Sequence, residues 1–96
     1  MLFLSVLTAC AASEQVIPPD RVDLSTEGGG STVRSTFSVN TCGEPDRLEV
    51  EESDTVVEVR TIIRVQGADC EDIAIPATDT AARDQPRGER QLVAVE

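Results

Sequence analysis

Residues 55–65 alternate with a period of two, Val57, Val59, Thr61, Ile63 and Val65 on one side and Val56, Glu58, Arg60, Ile62 and Arg64 on the other. A helix would scatter these positions around its circumference, whereas a strand puts every second side chain on one face. The segment therefore reads as a long strand with one apolar and one mostly charged face. A single sheet would leave the apolar face in water. A second layer has to cover it, which predicts a two-layer sandwich or a small barrel.

Shorter stretches carry the same period, with turn residues between them. Strands are expected over residues 21–25, with Val22 and Leu24 inward, and over 32–40, where Val33, Ser35, Phe37 and Val39 share a face. Residues 47–52 form a third, with Leu48 and Val50 inward, and Ser53-Asp54 turns into the long strand. Ile73 and Ile75 precede Pro76, a polar stretch runs through Ala82, and a last strand covers 91–95. Helix signals are weak throughout, so the expected fold is all-β, an antiparallel sandwich or barrel of about six strands. Gly28-Gly29-Gly30-Ser31-Thr32 precedes a strand and has no Lys beside it, so it reads as a hairpin turn rather than a phosphate cradle.

At the amino end, Leu2, Phe3, Leu4, Val6 and Leu7 form a short apolar run closed by small residues, the pattern of a secretory signal. It is too short to cross a bilayer, which takes about 20 apolar residues. The positive charge that normally precedes such a run is missing, which predicts a start codon upstream of Met1. Leu7-Thr8-Ala9-Cys10 resembles the bacterial lipobox, whose Cys accepts a diacylglycerol before the signal is cut. That resemblance implies a signal peptide over residues 1–9 and a lipidated Cys10. Several acyl chains, at about 0.8 kcal/mol per buried methylene, would hold the protein on the extracytoplasmic face of the cell membrane. Two other readings stay open: Ala9-Cys10-Ala11 also fits the A-x-A site of ordinary signal peptidase, and the run could be a buried strand of a protein that is never exported. Residues 10–20, polar, small and closed by Pro18-Pro19, read as a lipidated start and tether, with the acidic β domain over 21–96.

The chain holds 3 cysteines, an odd number for an oxidising compartment. Removing Cys10 for lipid leaves Cys42 and Cys70 as one possible disulfide pair. With 96 residues, fewer after cleavage, the domain is near the lower limit for folding on a core alone, so a staple is expected. Two cysteines without any His make a poor zinc set.

Cys42-Gly43-Glu44-Pro45, the strand Leu48-Glu49-Val50, residues 54–59, Cys70, and Pro86-Arg87-Gly88-Glu89-Arg90 before Leu92-Val93 come in an order that resembles small secreted and lipoprotein domains of actinobacteria. The resemblance covers residues 32–96. Those relatives carry Pro-Leu-Gly-Asp-Arg ahead of the last strand, where this chain has Arg87 and Glu89. The resemblance points to no particular activity; it implies a compact β domain, a bond between Cys42 and Cys70, and a structural salt bridge or turn contact for Arg90.

A net charge of −10 repels phosphate backbones, which argues against a nucleic-acid partner. Phe37 is the one aromatic residue after the leader, so stacking platforms for bases or sugars are missing. No His, Lys or Tyr is present to activate Ser31 or Ser38, which argues against an enzyme, and no cofactor is expected. Glu49 with Glu51 and Glu52 with Asp54 are carboxylate pairs that read as a solvated strand face. Asp69, Glu71 and Asp72 around Cys70 supply oxygen ligands for a calcium ion but lack the spacing of an EF-hand loop. Binding remains: the leading expectation is an interaction module for another cell-envelope protein, ahead of a small-ligand carrier or an inhibitor of a secreted hydrolase.

Overall fold

The computed structural model describes residues 13–96, and the lipobox-like residues 7–10 lie outside that range. The described chain is all-β, with seven strands: β1 (Ser13–Val16), β2 (Asp23–Glu27), β3 (Thr32–Val39), β4 (Gly43–Glu52), β5 (Val56–Val65), β6 (Ile75–Ala82) and β7 (Gln91–Val95). They form two sheets that face each other as a sandwich, β2-β3-β6 in one and β1, β4, β5 and β7 in the other.

β5, the strand with the clearest alternation, is the centre of its sheet. β4 pairs along its whole length on one side, through a bulge between Pro45 and Arg47. Its other side is shared end to end: β1 runs antiparallel against residues 62–65, and β7 runs parallel against residues 56–60. The pairing is antiparallel, as expected, except at β7, which lies parallel to β5. The loop that precedes β7 crosses from the β6 sheet, so the last strand enters alongside β5 in the same direction.

Val33, Ser35, Phe37 and Val39 of β3 all face inward and are buried. Opposite them lie Val57, Val59, Thr61 and Ile63 of β5. These side chains make two apolar clusters, Val33 with Val57 and Val59 towards one end, and Ile17, Phe37, Val39 and Ile63 towards the other. Between them the Ser35 and Thr61 hydroxyls, both almost fully buried, hydrogen-bond across the sheets at 2.7 Å. Each thereby satisfies a group whose burial would otherwise cost about 1–3 kcal/mol.

Cys42, in the turn between β3 and β4, is bonded to Cys70, in the loop between β5 and β6, with their Cα atoms 5.3 Å apart. The bond joins the two sheets at the end where β3 and β5 finish. Closing this loop is worth about 3–4 kcal/mol in the chain-entropy account.

Two segments depart from the expected boundaries. The tether expected over residues 10–20 is part of the fold from Ser13 onward. β1 pairs with β5, the Ile17 amide donates to the Thr61 carbonyl at 3.0 Å, and the Ile17 side chain enters the core. The four β1 side chains are all exposed, so no apolar alternation announces the strand. The polar stretch that ends at Ala82 is β6, paired with β3 over its full length. Its inward residues Ala77, Asp79 and Ala81 are small or charged, which hides the period of two.

Candidate functional site

The edges of the two sheets differ in how they are closed. β6 carries Pro76 and turns Asp79 inward, both features that discourage a further strand. Asp79 lies level with Ser35; its Oδ1 accepts the Thr80 amide at 2.9 Å, while Oδ2 is buried without a hydrogen-bond partner among the described residues. β4 is bulged and charged, and an Arg83–Glu52 ion pair ties its end to the segment after β6. β2 has Asp23 and Glu27 at its ends, and β1 is four residues long and followed by Pro18 and Pro19.

β7 is different. Its sequence, Gln91-Leu92-Val93-Ala94-Val95, has no charge and no Pro, and among the described residues it pairs with β5 alone. The Gln91 amide donates to the Thr55 carbonyl at 3.0 Å. In a parallel ladder alternate residues turn their backbone groups towards the neighbour. Gln91, Val93 and Val95 therefore face β5, and the N–H and C=O groups of Leu92 and Ala94 face away from it.

The charged residues form two networks beside this edge. On the outer face of the β5 sheet, Arg47 reaches across β5 to Glu14 on β1, at 2.9 and 3.1 Å, and also binds Asp46 at 2.7 Å and Glu49 at 3.1 Å. Arg60 continues the row, donating to Glu49 at 3.1 Å and to the Glu96 carbonyl at 2.9 Å, so the network spans β1, β4, β5 and the residue after β7. Ile62, opposite both Val16 and Arg47, is covered beneath it and only 4% exposed although it points to the outer face. Hydrogen bonding and attraction from Arg47 hold the Glu14 carboxyl below the usual carboxylate range and raise the Arg47 guanidinium above its ordinary value.

The second network closes the end of the sandwich away from the disulfide. Glu52 sits opposite the inward Val57, which aims its carboxylate over the end of the core, where it meets Arg83 and, at 3.0 Å, Arg90. Arg90 also donates to the carbonyls of Arg87 at 3.0 Å, Ser53 at 3.3 Å and Pro86 at 3.0 Å. It is a salt bridge and turn contact combined. Hydrogen bonding from Arg83 lowers the Glu52 carboxyl, with Arg90 adding to the effect. A shallow depression of about 360 Å³ beside it is lined by Ser53, Asp54, Asp84 and Gln85.

The remaining candidates are scattered. Cys10 lies outside the described residues. Asp69, Glu71 and Asp72 are exposed, and among the described residues no three metal-ligating side chains gather. Glu49 is engaged by two arginines while Glu51 is exposed. Ser31 donates to the Gly28 carbonyl at 2.9 Å inside the glycine turn, and Ser38 is exposed on the outer face of β3. Gly28, Gly29 and Gly30 all have positive φ, the reason three glycines stand in that turn. The sequence displays the uncharged run 91–95, but not that its strand lies at an edge; that follows only from pairing with β5.

The class defined by these features is a small disulfide-bonded β-sandwich with one unblunted edge strand. Comparison of the chain with protein-family models, with curated proteins and with solved structures returned no match.

Proposed function

We propose that this protein is a lipid-anchored domain of the cell envelope, held by acyl chains on Cys10, that binds another envelope protein by accepting an extended segment along β7. The observation that carries the binding part is the edge itself, with the uncharged β7 offering the backbone groups of Leu92 and Ala94. In strand addition main-chain hydrogen bonds supply affinity, and pockets for alternate side chains supply choice. Arginines hold Glu14 and Glu52 towards the ionised form, the reverse of what a general acid needs.

Replacing Ala94 by Pro tests this. Ala94 turns its N–H away from β5, so the change removes a donor from the open edge and leaves the β5 ladder intact. A photo-reactive residue at exposed Gln91 is expected to form one discrete adduct with an envelope protein in cells, and that adduct disappears in the Ala94→Pro variant. An adduct of undiminished yield in a folded Ala94→Pro protein contradicts strand addition.

A further inference from the structure

The two ends of the sandwich differ: one is closed by an ionic network, and the other exposes two large aliphatic side chains beside an acidic loop. The end away from Glu52, Arg83 and Arg90 brings together the finish of β3, the start of β4, the finish of β5, the start of β6 and the Cys42–Cys70 bond. Beyond it project two of the large apolar side chains that the described chain leaves exposed, Ile73 at 53% and Ile75 at 39%. Ile73 lines an open depression of about 290 Å³ together with Val39, Ile63, Ala74, Arg21 and Asp72. Arg21 makes no ion pair with the described residues, and a long Arg side chain there can lay its stem on apolar surface and its guanidinium among lipid phosphates.

Ser13 stands at this same end, because it pairs with Val65 of β5, the residue that also pairs with Gly43 at the start of β4. Cys10 precedes Ser13 by three residues, and three residues span at most about 10 Å. A lipid on Cys10 therefore cannot hold the domain at arm's length, as a ten-residue tether would.

From this juxtaposition, and resting on the lipidation of Cys10, we propose that the disulfide end of the sandwich sits directly on the bilayer, with Ile73 and Ile75 in the interfacial region. The occupant of the surface around Ile73 and Ile75 is lipid. Asp69, Glu71 and Asp72 share the loop with Ile73, so a zwitterionic surface is preferred over an anionic one. With this end down, β7 stands along the side of the domain and its first residue, Gln91, points to the distal end, open to a partner.

The chain contains no Trp or Tyr, so a single introduced Trp is a reporter without background. Ile73→Trp and, at the opposite end, Gln85→Trp are made in the full chain. Both are produced in a bacterium with palmitate labelling and reconstituted into phosphatidylcholine vesicles containing brominated acyl chains. The expected result is blue-shifted, strongly quenched emission from Trp at position 73 and unshifted, unquenched emission at 85. Labelled, vesicle-bound protein with no quenching at 73, or equal quenching at both ends, overturns the docking while leaving the lipid anchor standing. Protein that takes up no palmitate and stays in the aqueous fraction removes the anchor and the docking with it.

Discussion

Glu14 and Arg47 form a two-pronged ion pair across an intervening strand: Glu14 is on β1, Arg47 on β4, and β5 lies between them. β1 has no buried side chain, so this clamp, its ladder to β5 and the anchor at Ile17 hold it in place. The Arg47→Met variant is expected to keep the fold and to speed hydrogen exchange at the Gln15 and Ile17 amides, which face β5, relative to those of β3. Unchanged exchange at these two amides would show that the pairing with β5 alone secures the strand.

The same carboxylates set a pH dependence. Glu14 and Glu52 are more acidic in the folded chain than their ordinary value of 4.5, so the unfolded chain binds more protons as the solution is acidified. Their contribution is complete above about pH 4.5 and is lost as pH falls through the lowered folded values. Melting temperature should therefore drop below that pH, and a Glu14→Gln, Glu52→Gln double variant should show a flatter acid limb than the wild type. Parallel acid limbs would mean that neither arginine network is coupled to folding.

Ser35 and Thr61 divide the core between its two apolar clusters. Ser35→Ala strands the Thr61 hydroxyl and should cost about 1–3 kcal/mol. That is a fall of about 4–8 °C in Tm for each kcal/mol in a domain of this size. Adding Thr61→Val removes the stranded group and should recover most of the loss, which a double-mutant cycle reads as a coupling between the two positions.

Asp79 sends a carboxylate inward with one oxygen unpartnered among the described residues, a cost that blunts the β6 edge. Asp79→Val should raise stability by roughly 0.5–2 kcal/mol in chemical denaturation. A loss of stability would mean that the carboxylate is held by a partner and is not a cost to the fold.

Replacing Cys42 and Cys70 together by Ser removes the staple between the sheets and should cost about 3–4 kcal/mol, bringing the domain close to unfolding at physiological temperature.

Much of this fold is legible in the sequence, for a physical reason. β3, β4 and β5 each turn alternate, mostly aliphatic side chains inward, and such strands write their burial into the chain as a period of two, while β7 is legible as a short aliphatic run. β1 and β6 do not. β1 is held by backbone pairing and by Arg47, thirty-odd residues away, and β6 faces the core with Ala77, Asp79 and Ala81. Neither leaves a local signature, so residues 13–17 read as part of a tether. The open edge was half legible: the absence of charge in 91–95 is plain, but its place at the margin of a sheet depends on β5, more than thirty residues earlier.

Everything proposed about place and partner begins at Cys10. Palmitate labelling and fractionation of the full chain, beside a Cys10→Ser variant in the same bacterium, test it most directly. Label and membrane retention are expected in the wild type, and the loss of both in the variant. A wild-type protein that carries no label and leaves the membrane fraction contradicts the lipidation of Cys10.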